Sequence, residues 1–383
     1  MELSYKYDYI FTGVGCAALS LVMRMIKSGK FADKRILLID KESKTRNDRT
    51  WCFWEKENGF FEEIVYKKWD TISFLSDDFS CDMPIGPYLY KMIRGIDLYQ
   101  YCFKEIHQYR NIDVLYGEIT QAVIHKEGIT IHIDGRMEHF DYATIFDSIL
   151  QKQTQPSGTI NLLQHFKGWI IETPNAAFDP SKAVFMDFRI DQKDDTAFVY
   201  VLPVSPTKAL VEYTLFSKEL LPDEIYETEL KNYVSDFLQL KDFHVIEKEF
   251  GVIPMTNRKF SFCVRSDRFN IGTAGGMTKA SSGYTFQFIQ KQAEMILDHL
   301  IKNKDLSKIP PTPGRFYFYD KVLLDVLHNK RATGKDIFTS LFKKNKPQQI
   351  LKFLDNESSL AEEVKIISSL PVFPFLKAAF KQF

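Results

Sequence analysis

The sequence has no excess charge of either sign, no closely spaced cysteine pair, no apolar run of membrane-spanning length and no low-complexity tail. Lysine plus arginine and aspartate plus glutamate number 50 each. No overall field therefore draws the chain to nucleic acid or to acidic partners, and an uncharged target is expected. Five cysteines, an odd number, argue against a disulfide framework and for a reducing compartment, with the cytoplasm as the expectation. Residues 1–9 are polar and charged, so no signal peptide is expected. The most apolar stretch, residues 10–26, is interrupted by Thr12, Gly13, Gly15, Ser20 and Arg24 and is too short to span a bilayer. His125, His132 and His139 are evenly spaced but lie on a turn-interrupted stretch without metal-ligand geometry, so no metal is expected.

What is present is a chain of 383 residues, 45% hydrophobic, long enough for a large buried core. Aromatic residues make up 14%, with 33 Phe. Two readings stand for them, a Phe-rich core and a long apolar or cation-handling cavity.

The run Tyr7-Asp8-Tyr9-Ile10-Phe11-Thr12 reads as a buried strand, Gly13-Val14-Gly15-Cys16-Ala17-Ala18 as a tight turn into a helix ending near Gly29, and residues 35–40 as a second strand ending in Asp40. That is a βαβ unit. Residues 41–56 read as a polar, then aromatic, loop, and residues 96–109 as a helix. Stretches at 113–115, 121–126, 129–133 and 139–142 read as a strand meander, with turns at Glu127-Gly128 and Asp134-Gly135. Residues 143–147 read as a further core strand. From about 158 to 254 the pattern alternates over several strands, interrupted by one helix at 222–238. Residues 269–276 lead from a strand into a Gly-rich turn, and residues 287–303 are helical. After Pro310-Pro311-Thr312-Pro313-Gly314 the pattern is helical to the end.

The expected fold class is therefore α/β in two parts. A discontinuous Rossmann-type unit (1–56, 90–155 and 264–305) is followed by a mostly antiparallel β unit (57–89 and 156–263) and a helical C-terminal region (306–383). Gly13-x-Gly15-x-x-Ala18 between strand and helix lets the backbone approach a pyrophosphate at the helix N-terminus, Asp40 can accept ribose hydroxyls, and Ala18 stands at a position that governs helix–strand packing. A purely structural βαβ turn is the alternative.

Two further runs are Asn47-Asp48-Arg49-Thr50-Trp51-Cys52-Phe53-Trp54 and Gly272-Thr273-Ala274-Gly275-Gly276-Met277-Thr278-Lys279-Ala280-Ser281-Ser282-Gly283-Tyr284. Together with the Gly13/Gly15 turn, Gln164-His165-Phe166-Lys167-Gly168-Trp169 and Asp187-Phe188-Arg189, they resemble the lycopene β-cyclase family over about residues 5 to 290. The resemblance implies a fold similar to flavoprotein hydroxylases and geranylgeranyl reductases. It implies bound FAD that must be reduced, NAD(P)H as electron source, and conversion of lycopene through γ-carotene to β-carotene without net redox change. Gly272, Gly275, Gly276 and Gly283 then belong to a second flavin-contacting motif.

Such chemistry needs an acid that protonates an alkene carbon, a stabiliser for the resulting cation and a dry cavity. Glu212, in Leu210-Val211-Glu212-Tyr213-Thr214, is the expected acid, because a carboxyl on an apolar strand is out of place unless paired or functional. The segment resembles a plant cyclase motif with two adjacent glutamates; here Tyr213 replaces the second and leaves one candidate acid. The opposing reading puts Glu212 on a solvent-facing strand edge. Trp51, Phe53 and Trp54 are expected to line the substrate or to pack a loop, Arg49 to hold a flavin phosphate or to pair with Asp48, and His165 to line the substrate or to be a satisfied core histidine.

Residues 366–381 mix Phe, Leu and Lys in a way that suits a membrane surface, where a carotenoid would partition; docking on the protein's own body is the alternative, since Pro371 and Pro374 spoil a long amphipathic helix. Peripheral association with the inner face of the cell membrane is thus expected. The competing function is a flavin-dependent oxidoreductase, a prenyl reductase or hydroxylase, on an isoprenoid substrate.

Overall fold

The structure is a computed structural model that describes residues 5–125, 128–150, 156 and 158–382. The chain opens with β1 (Tyr5–Thr12), α1 (Cys16–Ser28) and β2 (Ile36–Asp40), then β3 (Thr50–Glu55), β4 (Lys67–Trp69), β5 (Thr71–Leu75), β6 (Ser80–Pro84), β7 (Leu89–Arg94) and α2 (Gly95–Ile106). It continues through β8 (Ile112–Tyr116), β9 (Ile119–Ile124), β10 (Gly128–Ile133), β11 (Arg136–Asp147), β12 (Asn161–Glu172), β13 (Lys182–Asp187), β14 (Thr196–Ser205) and β15 (Lys208–Ser217). There follow α3 (Asp223–Asp236), β16 (His244–Thr256), β17 (Cys263–Arg265), β18 (Arg268–Asn270) and α4 (Phe286–Ile301). The C-terminal part holds α5 (Gly314–His328), α6 (Gly334–Lys344), α7 (Pro347–Leu354), α8 (Leu360–Ser369) and α9 (Val372–Phe380).

The expected α/β architecture is present. The first sheet has a parallel centre, β18-β11-β1-β2-β8. Its central stretches, Ile10-Phe11 of β1, Ile36–Ile39 of β2 and Ile145-Phe146 of β11, are apolar because both faces are covered there. Phe11, Leu38 and Phe146 pack under α1 and α4, while Ile10, Leu37, Ile39 and Ile145 pack against the β10–β11 hairpin. α1 stops where Gly29 takes the left-handed conformation that ends many helices.

Three sequence expectations change. The aromatic end of the 41–56 segment is a strand, β3, antiparallel to β7. Its residues alternate: Trp51 and Phe53 face the first core, Cys52 and Trp54 the second. Alternating aromatics favour a strand packed on both faces over a loop. Residues 113–115 lie in β8, which joins the parallel sheet beside β2 after the α2 crossover, so the meander is β9-β10-β11 alone. Residues 139–142 and 143–147 are one strand, paired outwardly with β10 and inwardly with β1. Of the expected 127–128 turn, Glu127 lies outside the described residues, as does Lys126.

The second sheet runs β16-β12-β15-β14-β13-β5-β6, antiparallel except at β13–β5. One face is covered by α3, which buries Trp169, Val211, Tyr213 and Leu215 with Tyr226, Leu230 and Tyr233. The opposite, inner face carries Phe198, Tyr200, Leu202, Leu210 and Phe216 and meets Trp54, Tyr90, Phe185 and the C-terminal helices through Leu324, Phe338, Phe342 and Ile350.

Candidate functional site

The nucleotide-type features converge at the carboxyl ends of β1 and β2. Asp40 is buried and accepts the Val14 N–H at 2.6 Å through Oδ2, while its Oδ1 takes the Glu42 N–H at 2.9 Å and Lys44 Nζ at 2.9 Å. Gly13 has φ +81°, a conformation that penalises a side chain. Gly15 differs: it is the N-cap of α1, has no side-chain cap bond, and a Cβ there would meet nothing within 4 Å. The first turn of α1 also carries no acid. Open space in front of free helix N–H groups is a cradle that fits a pyrophosphate. Ala18 is fully buried between helix and sheet, as its packing position requires.

The second Gly-rich motif bridges the two sheets. A Cβ on Gly272 would come 2.9 Å from the Ala17 Cβ, so the motif begins against the first turn of α1. Gly275 and Gly276 close that turn, the latter in the left-handed conformation at φ +79°. Gly283 ends the run against the Gln164 side chain on the inner face of β12. Arg49 pairs with its neighbour Asp48, Nε and a terminal nitrogen bonding Oδ2 at 2.9 and 2.7 Å, and stays exposed. The local ion pair expected of it is formed.

On the second sheet, Glu212 does not lie on a solvent-facing edge. In-register pairing places Tyr200, Glu212, Gly168 and Glu249 in one row across β14, β15, β12 and β16, all on the inner face. Glu212 Oε1 accepts Thr214 Oγ1 at 3.0 Å. The Glu212 side chain is half-buried. Burial pushes its carboxyl well above the ordinary carboxylate range, and the charge of Glu249 adds to the rise. Glu249, itself buried, is also raised chiefly by burial; its Oε2 accepts Thr50 Oγ1 at 2.8 Å.

Glu249 is absent from the sequence expectations. It sits in a run, His244-Val245-Ile246-Glu247-Lys248-Glu249, that reads as a polar edge. The available signal was Thr50, inside the specific aromatic run and 199 residues away in the chain.

The expected substrate-lining residues separate. Trp54 faces the inner cluster, edge-on to Tyr284 at 4.7 Å between ring centroids. Trp51 and Phe53 point the other way, Phe53 stacking on Phe286 at 4.2 Å. His165 lies on the α3 face, opposite Glu212, because it pairs with Leu215 while Gly168, three residues on, pairs with Glu212. Its Nε2 meets Ser217 Oγ at 2.7 Å and its Nδ1 meets Tyr226 OH at 2.6 Å. Ser217 donates onward to the Glu219 carbonyl, which leaves the Nε2–H tautomer for the histidine. Burial lowers its pKa to about 4. His165 is thus a satisfied core histidine, and strand parity places it, Trp51 and Phe53 away from the face that carries Glu212.

Two cavities, of about 170 and 110 Å³, lie away from Glu212. The larger is bounded by Arg24, Phe60 and Glu294, and the smaller lies at the carboxyl ends of β11 and β18 beside Arg258 and Arg268. Beside Glu212 the aromatic side chains of Tyr90, Tyr200 and Phe185 are packed together rather than lining an open tunnel. Among the described residues there is no group of three or more potential metal ligands.

With this geometry in place, comparison with known proteins is specific. A family model described as lycopene cyclase protein matches residues 8–380. A lycopene β-cyclase from Pantoea ananas is 24% identical over 260 residues, which are 65% of this chain and 63% of that protein. Among solved structures, a flavoprotein/dehydrogenase from Cytophaga hutchinsonii superposes with a TM-score of 0.62 at 10% identity, covering 98% of this chain and 99% of that one. A geranylgeranyl bacteriochlorophyll reductase-like protein from Thermoplasma acidophilum gives 0.54 at 13% identity, covering 99% and 97%. The flavin-dependent brominase Bmp2 gives 0.61 at 12% identity, covering 94% and 97%. At these identities the likeness is one of fold.

Proposed function

The chain belongs to the lycopene cyclase protein family, and from that premise we propose that it is a lycopene β-cyclase that converts lycopene through γ-carotene to β-carotene by proton-initiated cyclisation. The observation that carries this reading is Glu212, a carboxyl enclosed on the inner face of the second sheet and pushed well above its ordinary range, chiefly by burial. Such a group keeps its proton at neutral pH and is available as a general acid. Glu212 gives its proton to the terminal alkene carbon of the polyene. The tertiary cation is attacked by the neighbouring double bond, and loss of a ring proton restores neutrality. The faces of Trp54 and the nearby tyrosines suit a cation in a water-poor setting.

FAD in its reduced form, supplied with electrons by NAD(P)H, would contribute negative charge that stabilises the cation, which accounts for a reductant in a reaction without net redox change. Gly13, Gly15, Ala18 and Asp40 are the residues we assign to it, with Gly272, Gly275, Gly276 and Gly283, and with Arg49 on the open rim. Residues 1–56, 90–155 and 264–305 form the cofactor unit in this reading, residues 57–89 and 156–263 the substrate unit, and residues 306–383 a cap. The exposed apolar face of α9 is assigned to the membrane surface from which the carotenoid enters.

Expression in lycopene-accumulating cells, with pigments separated by chromatography, tests the assignment. Ring-closed products are expected from the wild type. Glu212→Gln should retain FAD and lose at least about a hundredfold in rate; a near-normal variant rejects the acid. The second reading, an isoprenoid reductase or hydroxylase, is favoured by the fold shared with the reductase-like structure. It predicts one NAD(P)H consumed per product, where a cyclase turns over many substrates per reduced flavin.

A further inference from the structure

The sequence offers one acid, but the fold delivers two. Neighbouring strands lie about 4.8 Å apart, so the backbones of Glu212 and Glu249 stand roughly 10 Å from each other with Gly168 between them. Gly168 has no side chain to fill that gap, and a Cβ there would press on Leu210 Cδ1 at 2.9 Å and Glu249 Cγ at 3.0 Å. The two carboxyls close over the glycine and come within hydrogen-bonding reach of each other. Their other oxygens are held: Thr214 donates to Glu212 Oε1 at 3.0 Å and Thr50 donates to Glu249 Oε2 at 2.8 Å. Glu249 Oε1 is buried with no donor from any side chain or backbone group. A buried carboxylate oxygen without a donor is destabilising. Two carboxylates side by side in such a place repel strongly. One proton between them removes both penalties.

We propose that Glu212 and Glu249 form a one-proton dyad, with Glu249, anchored by Thr50, as the positioning residue that holds the proton on Glu212 and reloads it. This rests on the cyclase reading given above. Protonation of the substrate breaks the Glu212 O–H bond, and the alkene π pair forms the new C–H bond. The dyad is then doubly negative beside a cation. When the ring C–H pair becomes the ring double bond, the released proton returns to the two carboxylates, so atoms and charge balance with no co-reactant. The charged groups that act on the pair are Glu247 on its own strand and Asp48 beyond Thr50, both acidic, with Cys52 and Tyr200 as neutral neighbours. These acids favour retention of the shared proton.

Infrared spectroscopy of the purified flavoprotein, without substrate, reads this directly. Apart from the stretch of Asp355, whose carboxyl burial raises to about 7, the wild type should show a protonated-carboxyl stretch that persists well into the alkaline range. Glu212→Gln should abolish it. Glu249→Gln should keep it but move its titration to lower pH by about one unit or more, because the negative neighbour is gone. Should Glu249→Gln fail to retain FAD, Thr50→Val leaves both carboxyls in place. It should redistribute the proton towards Glu249 and split the titration. A band whose titration neither variant moves, or a wild type with both carboxyls ionised at pH 7, overturns the dyad. Failure of the cyclase reading looks different: the band behaves as stated while lycopene is left unconverted.

Discussion

The two sheets treat their buried acids in opposite ways. At the carboxyl ends of the first sheet, Asp147 accepts Thr12 Oγ1 at 2.8 Å and Arg268 at 2.6 Å, and Asp40 is met by Lys44 and backbone N–H groups. Each is met by several donors and sits beside a cation. On the inner face of the second sheet, Glu212 and Glu249 share two threonine hydroxyls, and acids are their charged neighbours. The same functional group therefore sits among cations and donors in one half and among burial and other acids in the other. A polar ligand suits the first environment, and carbon protonation needs the second.

The largest effect that would sharpen this contrast is in the first half. Gly15→Leu places a side chain in space that no protein atom occupies, at a residue whose φ of −88° costs a leucine little. The variant should fold with unchanged thermal stability yet bind FAD at least about a hundredfold more weakly, measured by flavin absorbance and calorimetric titration. Unaltered FAD affinity would break the assignment of the open cradle to a pyrophosphate.

The second effect concerns how each half meets its ligand. A dinucleotide would arrive from water and the proposed hydrocarbon substrate from lipid, and the C-terminal part carries the most exposed phenylalanines among the described residues. α9 packs Phe375, Ala378 and Ala379 towards α5, while Phe373 and Phe380 are 85% and 78% exposed beside Lys377 and Lys381. Docking on the protein's own body is thus formed on one face of this short helix, and the other face is the one the membrane proposal requires. Changing Phe373 and Phe380 together to Ser should weaken co-sedimentation with anionic liposomes by roughly tenfold or more. Point changes are preferable to truncation from residue 366, since Ile366 belongs to the inner core. Equal sedimentation of variant and wild type would detach this helix from any membrane role.

The same contrast explains what was legible in the sequence. The opening βαβ unit is local: strand, Gly13-x-Gly15 turn, helix and Asp40 fall within one short stretch, and each is marked by its residue types. Glu212 was legible because an acid interrupts apolar alternation. Its partner was not, because β16 carries Glu247, Lys248 and Glu249 in succession and resembles an exposed edge until β12 is laid beside it. Parity across strands was the other hidden quantity. A strand pattern states that His165 and Gly168 differ in face, but only register with β15 states which face holds the glutamate. The aromatic run 51–54 was similarly misread as a loop, since its two-sided alternation has meaning only between two cores.

The smallest effect compares the two faces of β12, and its sign is opposite on each. Burial disfavours charge on both, so it raises Glu212 on the inner face and lowers His165 to about 4 on the outer. A histidine whose folded pKa lies below its unfolded value near 6.5 stays neutral in the native protein while the unfolded chain takes up a proton. Its contribution is therefore intact above pH 6.5 and is lost as pH falls towards about 4. A raised carboxyl does the reverse: the native state keeps a proton that the unfolded chain has released, and stability falls as pH rises above the ordinary carboxylate range. In the difference between wild type and His165→Gln, the carboxyl contribution cancels and the histidine's remains. Denaturant unfolding at a series of pH values should give a wild type that loses stability faster than the variant between pH 6.5 and 4, by up to about 1.4 kcal/mol per pH unit. Parallel curves would mean that His165 accepts a proton in place, which its two occupied ring nitrogens and buried position argue against.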